Sequence, residues 1–293
     1  MSVKTNAERL VSISVMGQIA SPAFPGLPAM PYGLTAEGEA FLLPAYGGIV
    51  YNVSVGDSAF GWLADCIHPG VSISLKDDTG NRGLNVLACI GNTAVVMTGS
   101  AAGARGVVTG KSGRFSEHVI LHFSKADREK MAIGDKIIVR ARGVGMTLDD
   151  HPKVKLKSCS PELLAGLEVT TSDTGKLAVP VVAVVPPHLL GAGAGLTSEG
   201  GSLHIQTADK SALKEAGLDA LRLGDVVALS DYDSSWNHGY LRGAIGIGVV
   251  CQGDSPRAGY GPGVTLIMTA AGPHIEPIVT PGVNIKELFN LSA

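Results

Sequence analysis

Three apolar runs in the C-terminal part of the chain decide the fold: Asp225-Val-Val-Ala-Leu229, Ala244-Ile-Gly-Ile-Gly-Val-Val250 and Val264-Thr-Leu-Ile-Met-Thr269. Each run is rich in β-branched residues, has the length of an ordinary strand and is bounded by glycine or other turn-forming residues. The segments between them carry no helical pattern. Strands that follow one another without intervening helices pair mostly antiparallel, in barrels or sandwiches.

The rest of the chain repeats this pattern. Further β-branched runs predict strands at Leu10–Val15, Ile49–Val55, Val71–Leu75, Val86–Ile90, Ala94–Thr98, Gly106–Thr109, His118–Phe123, Lys136–Ala141, Val179–Val185 and Leu203–Thr207. Helix signals are few and short, at Arg128–Met131, Glu162–Leu167, Ser211–Leu221 and Ile285–Leu291. The sequence therefore predicts a mainly β, mostly antiparallel protein with a few short helices.

Two β-rich lobes are predicted from the length of the chain and from a weak internal repeat. A chain of 293 residues is long enough for two hydrophobic cores. Lys130–Val139 and Ala220–Leu229 both read as the end of a short helix, an apolar residue, a Gly-Asp turn and a strand. We place the boundary after residue 158, which gives an N-terminal domain of residues 1–158 and a C-terminal domain of residues 159–293.

The composition excludes several classes of protein. Glycine (39 residues) and proline (16 residues) make up about 19% of the chain, against a usual share of about 12%. With 45% hydrophobic and 17% charged residues, the chain is too apolar to be disordered. It has no apolar run long enough to span a membrane and no basic stripe for nucleic acid, so neither partner is expected. The low charge predicts that apolar surface is buried in a homo-oligomer.

The cysteines and the N-terminus favour a cytoplasmic location. Cys66, Cys89, Cys159 and Cys251 are widely spaced and form no C-x-x-C pair. The first ten residues include Lys4, Glu8 and Arg9 and lack the apolar core of a signal peptide. A reducing compartment is therefore expected.

Two glycine-rich segments are candidate nucleotide-binding loops. Gly106-Val-Val-Thr-Gly-Lys-Ser112 has three residues between its glycines, whereas a phosphate loop needs four, and its flanks predict strands. A hairpin or a bulged barrel corner suits it better. Gly191-Ala-Gly-Ala-Gly195 lacks the dinucleotide-binding spacing, so no nucleotide cofactor is expected. This second loop would let backbone approach a ligand or another subunit.

The richest polar segment, residues 230–243, lies between two strong predicted strands. It carries two carboxylates, one histidine, one arginine and one tryptophan: Asp231, Asp233, His238, Arg242 and Trp236. In an extended segment Asp231 and Asp233 face the same way, so they could hold a divalent metal or supply a base with an orienting partner. The alternative is a solvated loop with ordinary polar residues. Long loops are often functional.

Further candidates lie in three other segments. His68 belongs to the polar turn Asp65-Cys-Ile-His68, where it would shuttle a proton or merely cap the turn. Together with Arg242 and Trp236 of the polar segment, the residues predicted to contact substrate are Lys111, His118, Asp254 and Tyr260. His118 and His122 are four residues apart in a strand, about 13 Å from each other, and cannot bind one ion.

Three parts of the sequence resemble an uncharacterised prokaryotic family, the domain-of-unknown-function family numbered 4438. They are Ala88-Cys-Ile-Gly-Asn92 with Thr109-Gly-Lys111, the loop Asp231-Tyr-Asp233, and Gly243–Val250 with the turn Gly259-Tyr-Gly-Pro-Gly263. The resemblance spans most of the chain. It implies a β-rich, two-part fold and carries no assigned reaction.

The leading functional hypothesis is an enzyme that acts on a small polar molecule. Because redox and nucleotide motifs are lacking, hydrolase- or lyase-type chemistry at a carbonyl or C–N bond fits best. Asp231 or Asp233 would act as base or metal ligand, His238 or His68 would move the proton, and Arg242 would hold an anionic group. The alternative is a non-catalytic protein that binds a ligand or forms an assembly.

Overall fold

A computed structural model describes residues 3–22, 32–113 and 117–292. Its strands are β1 (Ile13–Ile19), β2 (Gly33–Leu34), β3 (Ala40–Phe41), β4 (Val71–Ser74), β5 (Thr93–Val96), β6 (Arg105–Ser112), β7 (His118–His122), β8 (Lys136–Ala141), β9 (Lys155–Leu156), β10 (Thr170–Thr171), β11 (Leu177–Val181), β12 (Ala183–Val185), β13 (Leu203–His204), β14 (Val226–Asp233), β15 (Gly239–Gln252), β16 (Gly263–Ala270) and β17 (Ile275–Val279). Its helices are α1 (Asp78–Leu87), α2 (Lys125–Arg128), α3 (Pro161–Gly166), α4 (Lys210–Glu215) and α5 (Ile285–Leu288). Single 3-10 turns lie at Ala7–Arg9 and Pro187–Leu189.

The N-terminal part of the chain forms a closed barrel in the order β1-β4-β7-β6-β5-β8. All of its neighbouring strands are antiparallel. Inward-facing residues such as Val71, Val119 and Val139 fill it, and Leu84 of α1 packs onto the same core. A bulge in β6 between Val108 and Gly110 bends the strand, as the sequence predicted for this glycine-rich segment.

The C-terminal part is built on a larger sheet in the order β12-β14-β15-β16-β13, to which β9 adds beside β16. A three-stranded sheet, β10-β11-β17, is not hydrogen-bonded to it but packs against it through a shared hydrophobic core. Along β14, Val226 and Ala228 enter one core, whereas Val227 and Leu229 enter the other. Since both faces of this strand are buried, its sequence is a continuous apolar run rather than an alternating one.

The predicted fold class, mainly β and mostly antiparallel with two β-rich domains and short helices, is confirmed. Parallel pairing occurs at β11–β17 and β12–β14. Because Lys155 and Leu156 already pair with β16 of the second sheet, the chain leaves the barrel before the predicted boundary. That boundary, after residue 158, stays a prediction.

Two strand predictions were wrong. Val86–Ile90 contains the end of α1 and an irregular segment. Gly80 and Gly83 weaken the helical pattern there, yet the Asp77 side chain caps the helix by accepting from the Gly80 amide at 2.6 Å. Ile49–Val55 is irregular and meets the barrel through the Ile49–Val71 bridge.

The expected long loop at residues 230–243 is mostly strand, with only residues 234–238 between β14 and β15. A register shift between Ser230 and Tyr232 leaves Asp231 with a φ of 54°. The Asp231 carboxylate accepts a hydrogen bond from the Gly243 amide at 2.7 Å. This bond fixes the bulge, so the hairpin bends instead of ending.

The barrel docks on the second sheet through β6, which packs against β15 and β16. The Lys111 amide donates to Thr265 Oγ1 at 2.9 Å, and the Cys251 thiol donates to the Lys111 carbonyl at 3.4 Å. A side chain at Gly110 would collide with the Cβ of Cys251. The two halves therefore approach at backbone distance. None of the helices in the described part of the chain is long and apolar enough to cross a bilayer.

Gly110→Ala is expected to lower the free energy of unfolding by about 1–3 kcal/mol, because the added methyl forces the barrel and the sheet apart. Denaturant unfolding measures this. Gly239→Ala is the matched control, since a Cβ at that strand residue meets no atom within 4 Å. Equal effects of the two substitutions would show that close packing at Gly110 is unimportant.

Candidate functional site

A polar cleft of about 450 Å³ lies where the barrel meets the second sheet. It is lined by Tyr46, Asp65, Cys66, Ser112, Gly113, Glu117, Ala192, Gly193, Ala194, Leu196, Ser202, His204, Gln252, Arg257 and Tyr260. These residues come from five separate segments of the chain. Concave sites between two domains, with convergent polar groups, are where small ligands usually bind.

One wall is the irregular segment of residues 44–68, which backbone hydrogen bonds attach to the turn after β15. The Asp254 amide donates to the Ala59 carbonyl at 2.8 Å, and the Cys66 amide donates to the Asp254 carbonyl at 3.0 Å. Cys66 has a φ of 54°, which a non-glycine residue adopts only when its surroundings enforce it. Burial raises the pKa of its thiol well above the usual range, so Cys66 is a neutral thiol.

The opposite wall joins the glycine loop, residues 191–195, to the turn of residues 253–263. The Gly191 amide donates to the His204 carbonyl at 2.8 Å, and the Ala192 amide donates to the Gly259 carbonyl at 2.6 Å. A side chain at Gly191 would overlap the Gly259 carbonyl. The close backbone approach that the sequence suggested is therefore made to another loop of the same chain, and the glycine loop also lines the cleft.

His204 has a fixed tautomer. Its Nδ1 lies 2.7 Å from the Gly261 carbonyl, which can only accept. Nδ1 therefore carries the proton, and Nε2 carries the lone pair. Burial lowers the pKa of His204, although the Gly261 hydrogen bond opposes the change. The Tyr260 ring lies beside it, 5.0 Å between centroids. His204 is thus a neutral imidazole in the cleft wall with a basic nitrogen.

His68 is fully buried behind the cleft and belongs to a continuous chain of hydrogen bonds. The Gln252 amide nitrogen donates to His68 Nε2 at 3.1 Å, and His68 Nδ1 lies 2.7 Å from Ser72 Oγ. Ser202 Oγ donates to Gln252 Oε1 at 2.8 Å. Burial, followed by the neighbouring His118 and His204, lowers the pKa of His68 well below its usual value. His68 therefore positions Gln252.

Tyr46 and His118 form an aromatic cluster with His68. The Tyr46 ring centroid lies 5.9 Å from each imidazole, and the two imidazoles are 5.6 Å apart. Burial raises the pKa of Tyr46 to about 12, with the nearby Glu117 carboxylate adding to the shift. Burial also lowers the pKa of His118 to about 4. At neutral pH the phenol keeps its proton, and His118 is uncharged.

An ion pair closes one side of the cleft. Arg257 Nε lies 2.8 Å from Asp65 Oδ2, and Ser255 Oγ donates to Asp65 Oδ1 at 2.7 Å. The Arg257 guanidinium also lies 5.8 Å from the centroid of the Phe41 ring. Since the Asp65 carboxylate is almost fully buried, this pair fixes the turn that carries Tyr260.

The structure brings some of the predicted site residues together at this cleft. Tyr260 lines it, and His68 and His118 lie directly behind its wall. Asp254 lies in the adjoining turn, where its carboxylate accepts from Thr207 Oγ1 at 2.6 Å and from the Ser255 amide at 2.8 Å. Asp254 therefore shapes the turn.

Asp231 and Asp233 do not line the cleft. Asp231 fixes the β14 bulge, and Asp233 Oδ1 accepts from the Ser235 amide at 3.1 Å and the Ser235 hydroxyl at 2.7 Å. Within the described residues, no group of three or more His, Cys, Asp or Glu side chains could hold a metal ion. Catalytic and metal-binding roles for this pair of carboxylates stay predictions.

The remaining predicted residues lie elsewhere. His238 is buried in the hairpin, with Nδ1 3.0 Å from Ser234 Oγ, and burial lowers its pKa to about 4. Trp236 is 76% exposed, with Lys155 Nζ 4.8 Å from its ring centroid. Arg242 is exposed on β15. Lys111 pairs with Val119 of the barrel core, so its side chain faces inward.

Sequence reasoning missed several residues that line the cleft: Tyr46, Asp65, Ser112, His204, Gln252 and Arg257. Two features of the sequence pointed to this region: the polar turn at residues 65–68 and the glycine-proline turn at residues 253–263. His204, in a two-residue strand, gave no local signal because its importance depends on the contact with Gly261.

This chain belongs to a family of proteins of unknown function. Residues 32–165 match the family model described as "Domain of unknown function (DUF4438), N-terminal", and residues 166–289 match the one described as "Domain of unknown function (DUF4438), C-terminal". The resemblance seen in the sequence is therefore confirmed. The crystal structure of TM1086 is similar throughout, with a TM-score of 0.91 and 41% identity over 98% of this chain and 99% of that one. No curated protein matches the chain.

The buried His118 predicts a pH-dependent stability. Its pKa is about 4 in the folded protein, against about 6.5 when unfolded. As the pH falls from 6.5 to 4, the imidazole binds a proton in the unfolded state but stays largely unprotonated in the folded state. His118→Phe should therefore lose roughly 3 kcal/mol less stability than the wild type over this range.

Denaturant unfolding at a series of pH values measures the difference, and His188→Phe, at an exposed position, controls for loss of an imidazole. Identical pH profiles for wild type and His118→Phe would show that His118 titrates alike in the folded and unfolded states.

Proposed function

We propose that the cleft between the barrel and the second sheet binds a small polar molecule and that the protein acts on it by proton transfer, as a hydrolase- or lyase-type enzyme at a carbonyl or C–N bond. The proposal rests on one observation, the hydrogen bond that His204 Nδ1 donates to the Gly261 carbonyl. This bond fixes the tautomer of a neutral imidazole in the cleft wall, so that Nε2 is the basic nitrogen. Neutral imidazoles held in this way serve as general bases.

The surrounding groups support such chemistry. Tyr46 keeps its phenolic proton at neutral pH because burial raises its pKa to about 12, so it can donate a hydrogen bond to a carbonyl oxygen. Gln252 is held rigidly by Ser202 and His68, which preorganises its contact with a ligand. The base, the donor and the rigid amide come from separate segments, so the site exists only in the folded chain.

The catalytic test compares the wild type with His204→Asn. Asparagine can still donate to the Gly261 carbonyl, but it has no counterpart of Nε2. Turnover of a panel of small uncharged amides, esters and lactones would be followed by proton NMR. We expect the substitution to lower kcat roughly 10²–10⁴-fold. His188→Asn, at an exposed position, should keep the wild-type rate.

A wild-type rate in His204→Asn would rule out His204 as the base. Binding without turnover in the wild type would instead favour the alternative function, a non-catalytic ligand-binding protein. The suggested divalent metal at Asp231 and Asp233 is a separate matter, and metal analysis of protein never exposed to chelator decides it.

Self-association is a second proposal, and exposed apolar residues on the β14–β15 hairpin favour it. Trp236, Tyr240 and Leu241 are large hydrophobic side chains that lie exposed on this hairpin, and side chains of this kind are enriched in interfaces between subunits. A second copy of the chain would cover them in a homo-oligomer.

Replacing Trp236 and Tyr240 by Ser should shift the protein from oligomer to monomer, because both substitutions remove apolar contact area. Light scattering coupled to gel filtration measures the mass. Val11→Ser, at another exposed apolar position, is the control and should leave the mass unchanged. An unchanged mass in the double variant would exclude this hairpin as the interface.

The cysteines support a reducing compartment such as the cytoplasm. Cys66, Cys89, Cys159 and Cys251 are all free and buried. Disulfides form in oxidising compartments and are rare in the cytosol. A fold that uses its four cysteines as buried thiols suits a reducing environment.

A further inference from the structure

Within the part of the chain that the structure describes, two buried polar atoms in the floor of the cleft have no hydrogen-bond partner. They are Ser112 Oγ and His118 Nδ1, and the two residues are only 1% and 8% exposed. Buried polar atoms in proteins are nearly always paired, so each exception needs an explanation. Two exceptions at one place point to something that binds there.

The strand register places these two atoms on the same side of the barrel wall. Ser112 of β6 and His118 of β7 are direct cross-strand partners, and such partners share a face with their Cβ atoms about 5 Å apart. Ser112 lines the cleft. His118 stacks near Tyr46, which also lines it. The pair therefore faces the cleft from its floor.

Neighbouring polar side chains show the opposite pattern. His68, Ser72, Gln252 and Ser202 satisfy one another in a continuous chain of hydrogen bonds. These four described side chains leave no buried atom unpaired among themselves, whereas the neighbouring Ser112 Oγ and His118 Nδ1 are both unpaired.

A hydroxyl group complements this pair better than other groups do. Burial keeps His118 neutral, so Nδ1 carries either a lone pair or a proton. Ser112 Oγ can donate or accept. A ligand hydroxyl also donates and accepts, and can therefore bridge both atoms in either tautomer. A carboxylate only accepts and an ammonium only donates, so each would fit one tautomer only.

The rest of the lining narrows the ligand class. Asp65 and Arg257 neutralise each other, and the remaining charged side chain among the described lining residues is the carboxylate of Glu117. An anionic ligand is therefore disfavoured. Tyr46 and Tyr260 offer aromatic faces for C–H groups, and Ser202, Gln252 and His204 offer further hydrogen-bonding groups.

We propose that Ser112 and His118 together bind one hydroxyl group of an uncharged polyhydroxy compound about the size of a monosaccharide. This inference rests on the proposed function of the cleft and adds the class of molecule that the cleft accepts. The cleft volume of about 450 Å³ accommodates such a ligand. In the free protein the same two atoms are a source of instability, because burial has removed them from bulk water without supplying a partner.

The first experiment measures the thermal stability of the ligand-free protein. Ser112→Ala and His118→Phe remove unpaired atoms, so each should leave Tm at pH 7.5 unchanged or raise it. Ser202→Ala is the matched control, because it removes a hydroxyl that pairs with Gln252 and should lower Tm. A clear fall of Tm in Ser112→Ala would show that the hydroxyl has a structural partner, and would overturn the proposal.

The second experiment measures binding of glycerol, erythritol, D-ribose, D-xylose and D-glucose by saturation-transfer NMR, followed by calorimetry of those that bind. At least one should bind the wild type, and Ser112→Ala and His118→Phe should each weaken its binding at least tenfold. Deoxy analogues should identify one hydroxyl whose removal weakens binding to the wild type but not to Ser112→Ala.

Equal binding by wild type and variants, or no binding by any of these compounds, would overturn the proposal. Neither result tests the proposed function, since turnover by the wild type and its loss in His204→Asn are measured with other compounds. Conversely, polyol binding with an unchanged rate in His204→Asn would support Ser112 and His118 as the binding pair while removing His204 as the base.

Discussion

The contact between β6 of the barrel and β15–β16 of the second sheet is the constraint on which the rest of the structure depends. At Gly110 the absence of a side chain lets Cys251 approach the strand. The Lys111 backbone then exchanges hydrogen bonds with Thr265 and Cys251. This contact sets the distance between the two halves. The cleft lies at their junction, so its shape follows from the same contact.

Burial decides the chemistry of the site more than charge does. His68, His118 and His204 all have lowered pKa values, and burial is the largest cause for each. The neutral form is therefore the one that the fold stabilises. Hydrogen bonds then assign the tautomers, with Gly261 fixing His204 and Gln252 fixing His68. The result is a set of neutral imidazoles whose orientation is set by the surrounding loops.

Much of the fold could be predicted from the sequence, because β-branched runs between turn residues report local structure directly. Helix α1 was missed since its glycines hide the periodicity, and the bulge at Asp231 was missed because it depends on a hydrogen bond to Gly243 across the hairpin. The site was harder to predict from the sequence than the fold. Asp231 and Asp233 stand out because two carboxylates lie close together in the chain, whereas His204, Gln252 and Ser112 come from segments far apart in sequence. Only the docking of the barrel on the sheet brings them together.

Long-range proton–nitrogen NMR on protein with labelled histidine would measure the protonation state of the imidazoles directly. At pH 7 we expect His68, His118 and His204 to be neutral, with the proton of His68 and of His204 on Nδ1. All three should stay neutral as the pH falls below 6.5. An imidazolium at any of the three positions at pH 7, or a proton on Nε2 of His204, would show that burial and the Gly261 hydrogen bond do not set the state of these side chains.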